Sequence, residues 1–425
     1  MSPLSRQTFG RQTLGRQMLG RRTFLQAGAG IVLSGTAGAP WASAVSPAST
    51  KVYVLVVDGC RPDELPMMAN VSALRDAGMH FPNARSVPVM ETIPNHCMMM
   101  TGVRPDRSGV PANSIYDRAA DVVRDLDQST DLTFPTLLER LRSTGRTTAT
   151  VLSKQYLYGV FGTRATYRWE PSPVLPVTGH APDQATMDAL LAMVRDADPD
   201  LVFCNLGDVD RVGHADLTGL TLAAARTAAL LDTDYQVGRF MTMLKDTGRW
   251  SSSVVIVLAD HSMDWSYPWA LVSLTATLDT DPLLAGRVRI AQNGGADLLY
   301  FTGSDLERPA AVTRIKTLVA AQPGVLSVHT PDELRLGRRA GDVVAFCRQG
   351  WRFSDPQVYS NPIPGNHGHP ATEPIPFLIS GGSPLVARGV TSSLAVHTID
   401  VAPTIGTVFG LPDPKGGYDG RSVLT

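Results

Sequence analysis

Residues 51–57 read KVYVLVV, an apolar and β-branched run without polar alternation, and the run stops at Asp58-Gly59. Such a run describes a strand covered on both faces, as in a parallel sheet clothed by helices. The pattern recurs along the chain. TTATVL (147–152) stops at Ser153-Lys154, LVFCNL (201–206) at Gly207-Asp208, VVIVL (254–258) at Ala259-Asp260-His261, and PFLIS (376–380) at Gly381-Gly382. Between these runs, 134–142, 184–197 and 222–245 carry apolar residues at helical spacing. The alternation predicts an α/β fold, a mainly parallel sheet sandwiched by helices. Ligands in such sheets sit at the carboxyl ends of the strands. Here several of those ends carry Asp, His or Lys.

The stretch 266–355 breaks the alternation. It offers two strands (296–302 and 343–347) and one helix (308–321), which predicts a small α+β insertion placed as a cap. The core is then 45–265 together with 356–425. An apolar fraction of 43% over 425 residues is enough to bury such a core. Lys and Arg total 38 against 39 Asp and Glu, with no basic stripe beyond the N-terminus, which argues against a nucleic-acid polymer as partner.

The first 44 residues have a different character. They hold Arg6, Arg11, Arg16, Arg21 and Arg22 and no acid. Arg21-Arg22-Thr23-Phe24-Leu25 precedes a weakly apolar run (27–39), and Ala42-Ser43-Ala44 follows as a cleavage site. This order resembles a twin-arginine signal peptide, which implies the Tat export machinery as a partner and a periplasmic or secreted product. No segment supplies the roughly 20 strongly apolar residues of a membrane span, so no membrane association is expected after cleavage. Cys60, Cys97, Cys204 and Cys347 show no metal spacing and read as small buried residues, although Cys60 and Cys97 are near enough in sequence to Asp58 and Thr92 to meet.

The chemistry-bearing residues are scattered. In MET-IPNH (90–96), Pro94 suits the first turn of a helix and Gly102 its end, which puts Thr92 at the helix N-terminus. Free N–H groups and the helix dipole favour an anion there. Taken singly, Thr92 is an ordinary N-cap. Asp210 and His214 stand four apart after one strand, Asp260-His261 end another, Asp58 ends the first, and His367 stands in the glycine-flanked run Gly365-Asn366-His367-Gly368. Each alone is an ordinary loop residue. Together, at strand ends of one sheet, they form a candidate site whose negative charge calls for divalent cations, with mixed Asp/His ligands suiting Zn²⁺ over Mn²⁺ or Fe.

These motifs, with TGVRPDRSG (101–109) after TIPNH, resemble the type I phosphodiesterase/nucleotide pyrophosphatase branch of the alkaline phosphatase superfamily, from Lys51 to about Gly420. The resemblance implies two metal ions, one held by Asp210, His214 and His367, the other by Asp58, Asp260 and His261 with the Thr92 hydroxyl. It implies that Thr92 attacks phosphorus in line to give a phospho-threonine that water hydrolyses. Asn113 stands where the family places a donor to a non-bridging phosphoryl oxygen; without the resemblance it reads equally well as a turn residue. Residues 397–404, then 410–412 and 419–420, resemble the closing segment of the superfamily, with a structural role.

Two positions depart from the nucleotide-cleaving members. Those members place an aromatic residue after the nucleophile, and this chain has Ile93; Tyr156, Tyr158 or Phe161 are alternative walls, each equally a core residue. Ser153-Lys154 resembles the lysine-bearing strand end of phosphonoacetate hydrolases, so Lys154 is a candidate for a substrate carboxylate or second phosphate, or else a surface ion pair. The expectation is an exported metal-dependent phosphoric-ester hydrolase acting on a small phosphate ester, with a phosphonate or monoester hydrolase as alternative and a non-catalytic metal or phosphate binder as the third reading.

Overall fold

The computed structural model describes residues 50–175, 178–215 and 223–424. The expected leader, 1–44, lies outside the described residues. Eight strands form the central sheet: β1 (Lys51–Val57), β2 (Met79–His80), β3 (Thr148–Leu152), β4 (Tyr167–Trp169), β5 (Leu201–Leu206), β6 (Ser253–Leu258), β7 (Phe377–Ser380) and β8 (Val390–Thr391). Their spatial order is β8-β2-β7-β6-β1-β5-β3-β4. The apolar runs explain the centre: β1 lies between β5 and β6, and Val52 to Val57 are at most 2% exposed. Each such side chain contributes about 1.5–3 kcal/mol through burial.

β1, β3, β4, β5 and β6 are mutually parallel. Their carboxyl ends therefore share one edge, and Asp58, Lys154, Asp210 and Asp260-His261 follow those ends. β7 runs antiparallel to β6, pairing Phe377 with Leu258. Its start, not its end at Gly381-Gly382, lies at the site edge. The loop that carries His367 enters β7 from that edge, which is how a residue preceding a strand joins residues that follow strands.

A second sheet is antiparallel throughout. It comprises Val288–Asn293, Ala296–Phe301, Val343–Cys347 and Val325–His329. The helix Arg308–Ala320 buries Ala311, Ile315 and Val319 against it, in a core separate from that of the main sheet. Among the described residues no helix is long and apolar enough to cross a membrane, and all four cysteines are free and buried, Cys60 and Cys97 included.

This second core contains an unusual acid. Asp297 is fully buried and neither carboxylate oxygen accepts a hydrogen bond. Burial first, then the neighbouring Asp355 carboxylate, pushes its pKa well above the usual value. A carboxyl raised in the folded state stabilises the fold below its unfolded pKa, and that contribution is lost as pH rises toward the folded pKa. Asp297→Asn removes the loss. Its melting temperature should match wild type near pH 4 and exceed it increasingly toward pH 8; a constant difference across that range would refute the assignment.

Candidate metal centre and nucleophile

Thr92 opens the helix Thr92–Thr101, which ends at Gly102 in the left-handed conformation (φ 70°). The hydroxyl is buried, and its Oγ1 lies 3.2 Å from His261 Nε2. The Asn95 side chain, in the same helix, makes four hydrogen bonds to backbone, accepting the Val87 N–H and donating to the Val87, Val89 and Glu91 carbonyls, and its Oδ1 also accepts the Thr398 hydroxyl at 2.6 Å. The closing segment thus braces the nucleophile helix.

The sheet edge brings the six Asp and His residues together. Asp210 and His214 lie one turn apart on the helix Asp208–Ala215, with His214 Nε2 3.3 Å from Asp210 Oδ1. His367 Nε2 stands 3.1 Å from His214 Nε2 and 3.9 Å from Asp210 Oδ1, completing one triad. The Gly365 carbonyl, 2.8 Å from His214 Nδ1, turns Nε2 toward that centre. On the other side His261 Nε2 is 3.4 Å from Asp260 Oδ2 and 3.7 Å from Asp58 Oδ1. The three-residue groupings there are Asp58 with Asp210 and His261, and Asp58 with His96 and Asp260. Asp58 is shared by both. The His261 and His367 rings stack at 3.7 Å, linking the two sides.

Electrostatics identify which groups the centre suits. Asp58 Oδ1, Asp210 Oδ1 and Asp260 Oδ2 are buried and receive no hydrogen bond. Burial, with Asp260 beside it, pushes Asp58 up to about 6. Burial also pushes Asp210 upward, but Lys154 and His214 hold it well below the usual range. Burial holds the His367 imidazole well below its usual pKa, with His261 and His214 adding to the effect, so the ring is a neutral donor. Three carboxylates with orphaned oxygens and three imidazole nitrogens within a few ångströms match the donor set of divalent cations.

Lys154 follows β3 and is buried, not on the surface. Its Nζ lies 2.7 Å from Asp210 Oδ2 and 2.9 Å from Asp58 Oδ2, between the two groups. It also lines a cavity of about 630 Å³ with Thr92, Ile93, Asn113, Tyr156 and Arg211. Of the three candidate aromatic walls, Tyr156 lines this cavity, while Phe161 belongs to the core against Phe203. Asn113 Oδ1 accepts the Ile93 N–H at 2.8 Å, which leaves its amide N–H₂ as the free end.

Several residues of the site were not singled out by sequence. His96 is buried behind Thr92, burial lowering its pKa to about 4, and Asn205 Nδ2 joins it to Asp58 Oδ2 at 2.7 Å. Glu91 accepts the Asn113 N–H at 3.1 Å and lies 3.5 Å from His367 Nδ1. The TIPNH segment was the available signal for both His96, which closes it, and Glu91, which directly precedes it; Asn205, mid-strand, offered none.

Fold and site together define a metal-dependent hydrolase of the alkaline phosphatase-like class. The family model for type I phosphodiesterase/nucleotide pyrophosphatase matches residues 52–369, and the chain belongs to that family. It is a hydrolase acting on phosphoric ester bonds. Bovine (Bos taurus) bis(5'-adenosyl)-triphosphatase ENPP4 is 21% identical over 401 residues, covering 88% of this chain and 81% of that protein. Venom phosphodiesterase of Macrovipera lebetinus is 25% identical over 214 residues, covering 47% of this chain and 23% of that protein. Murine ectonucleotide pyrophosphatase/phosphodiesterase 5 superimposes with a TM-score of 0.70 at 19% identity, covering 85% of this chain and 95% of that one. An inactive variant of the same murine protein, solved with AMP, gives the same TM-score at 18% identity, with 85% and 96% coverage.

Proposed function

We propose that this chain is an exported phosphodiesterase that acts through a phospho-threonine on Thr92, with two zinc ions held by Asp210, His214 and His367 and by Asp58, Asp260 and His261. The observation that carries the reading is the Thr92 hydroxyl at a helix N-terminus, 3.2 Å from His261 in a centre whose three buried carboxylates each keep one oxygen without a donor. When bound, divalent cations of this kind activate a hydroxyl nucleophile and neutralise the leaving oxygen.

The chain's own residues do the rest. The N-terminal end of the Thr92 helix directs the positive end of its dipole at the phosphoryl group, and Asn113, its Oδ1 held by the Ile93 N–H, adds a neutral amide donor suited to the single charge of a diester. Thr92 Oγ attacks phosphorus, the alcohol or phosphate departs on the Asp210 side, and water then releases Thr92. Ile93 and Tyr156 give the cavity an apolar wall, and its volume fits a substrate of nucleotide size. The AMP found in the murine relative is in keeping with such a substrate.

The export assignment rests on the leader, its paired arginines and Ala42-Ser43-Ala44. The segment 266–355 is assigned to the insertion, and 45–265 with 356–425 to the core.

The test is a substrate panel with the zinc-loaded mature protein. An aryl diester should turn over faster than the corresponding monoester, and the reverse ranking would remove the phosphodiesterase reading. A phosphonate hydrolase is the second reading, because Lys154 lines the cavity. It requires hydrolysis of phosphonoacetate that disappears in Lys154→Ala.

A further inference from the structure

The dipeptide Asn113-Ser114 is clasped from two sides, and one side belongs to the second sheet. Asn293 ends the strand Val288–Asn293 and is 4% exposed. Its Oδ1 accepts the Ser114 N–H at 2.8 Å, and its Nδ2 donates to the Ser114 carbonyl at 3.1 Å. One side chain thereby pairs with a backbone unit as a neighbouring strand would. A further bond from Nδ2 to the Ala291 carbonyl, 3.1 Å, locks the side chain in that orientation. From the opposite side Glu91 holds the Asn113 N–H and the Ile93 N–H holds Asn113 Oδ1.

The turn that follows Asn293 grips the ligand loop as well. The Gly295 N–H donates to the His367 carbonyl at 2.7 Å. A Cβ at Gly295 would stand 2.1 Å from His369 Nδ1, so the turn can approach this closely only as glycine. A single hairpin of the second sheet therefore touches both the Asn113 dipeptide and the loop of His367.

We propose that Asn293 is a positioning residue for phosphoryl transfer: its clasp on Ser114 fixes the Asn113 amide where a phosphoryl oxygen is bound. Asn293 acts through Asn113, so the inference rests on the reading of Asn113 as a phosphoryl donor. Hydrogen bonds of this kind count most in the transition state, where charge on the oxygen is greatest. Loosening the amide should therefore lower kcat more than it raises KM, and displacement of a positioned group by about 1 Å costs on the order of 10²-fold.

The test is a double-mutant cycle on an aryl diester, with metal content and melting temperature recorded for every variant. Asn113→Ala should lower kcat by about 10²–10³-fold. Asn293→Ala should lower it by roughly 10–100-fold, with KM and metal content close to wild type. In the Asn113→Ala background the same Asn293→Ala change should have almost no further effect, because its target is gone. Asn293→Asp keeps the acceptor but not the donor and should fall between; it also serves as the variant of closest shape if Asn293→Ala folds poorly. Equal losses in both backgrounds, or a wild-type kcat in Asn293→Ala and Asn293→Asp, would overturn the proposal. A wild-type kcat in Asn113→Ala would instead remove the reading of Asn113 beneath it.

Discussion

Thr92→Ala is expected to lower turnover of an aryl phosphodiester by at least about 10³-fold, the scale seen when a covalent nucleophile is deleted, while the protein keeps its bound metal. The activity follows from position. Thr92 Oγ1 is the hydroxyl at the start of the helix, buried and 3.2 Å from His261. The unchanged metal content follows from the donor count: Asp58, Asp210, His214, Asp260, His261 and His367 all remain. Thr92→Ser restores a hydroxyl without the methyl group and should retain measurable turnover. Acid quench during turnover of wild type or Thr92→Ser should trap a peptide containing residue 92 whose added mass is the phosphoryl group with the one ester group that was not displaced. Full activity in Thr92→Ala, or an adduct trapped on another residue, would exclude Thr92 as the nucleophile.

Much of this centre was legible because the architecture is periodic. The apolar runs at 51–57, 147–152, 201–206 and 254–258 became parallel strands, so the acids and histidines after them had to meet at one edge. The helix over Thr92–Thr101 was legible from Pro94 and Gly102. The direction of β7 was not, because an apolar run has no polarity of its own; direction is set by the path of the chain through 266–355. His367 was assigned by resemblance, since a glycine-flanked histidine in a loop has no local pattern. Glu64, Arg226 and Asn293 lay beyond reach for a further reason. Arg226 is 162 residues from Glu64 and Asn293 is 179 from Ser114, and nothing in a single chain's local spacing marks such pairs.

Arg226→Ala is expected to destabilise the fold by about 3–5 kcal/mol, the usual effect of stripping one partner from a buried ion pair. Arg226 is 6% exposed and forms a two-pronged pair with Glu64, with Nη2 2.8 Å from Oε2. The guanidinium also donates to the Val209 carbonyl and to the Gly59 carbonyl, each at 2.9 Å. Those carbonyls adjoin Asp210 and Asp58. One planar fork therefore ties together the backbones that carry a carboxylate of each metal group, a task that the single ammonium of Arg226→Lys cannot reproduce. Stability and metal binding should consequently separate. Replacing both charges, Arg226→Met with Glu64→Leu, removes the unpaired buried charge and should recover much of the lost stability. It leaves Gly59 and Val209 untied, so zinc affinity should stay below wild type while the melting temperature returns. Thermal unfolding of the metal-free protein, compared with competitive zinc titration, reads the two quantities independently. Recovery of wild-type zinc affinity in the doubly substituted protein would show that Arg226 only balances Glu64 and does not hold the two ligand backbones in register.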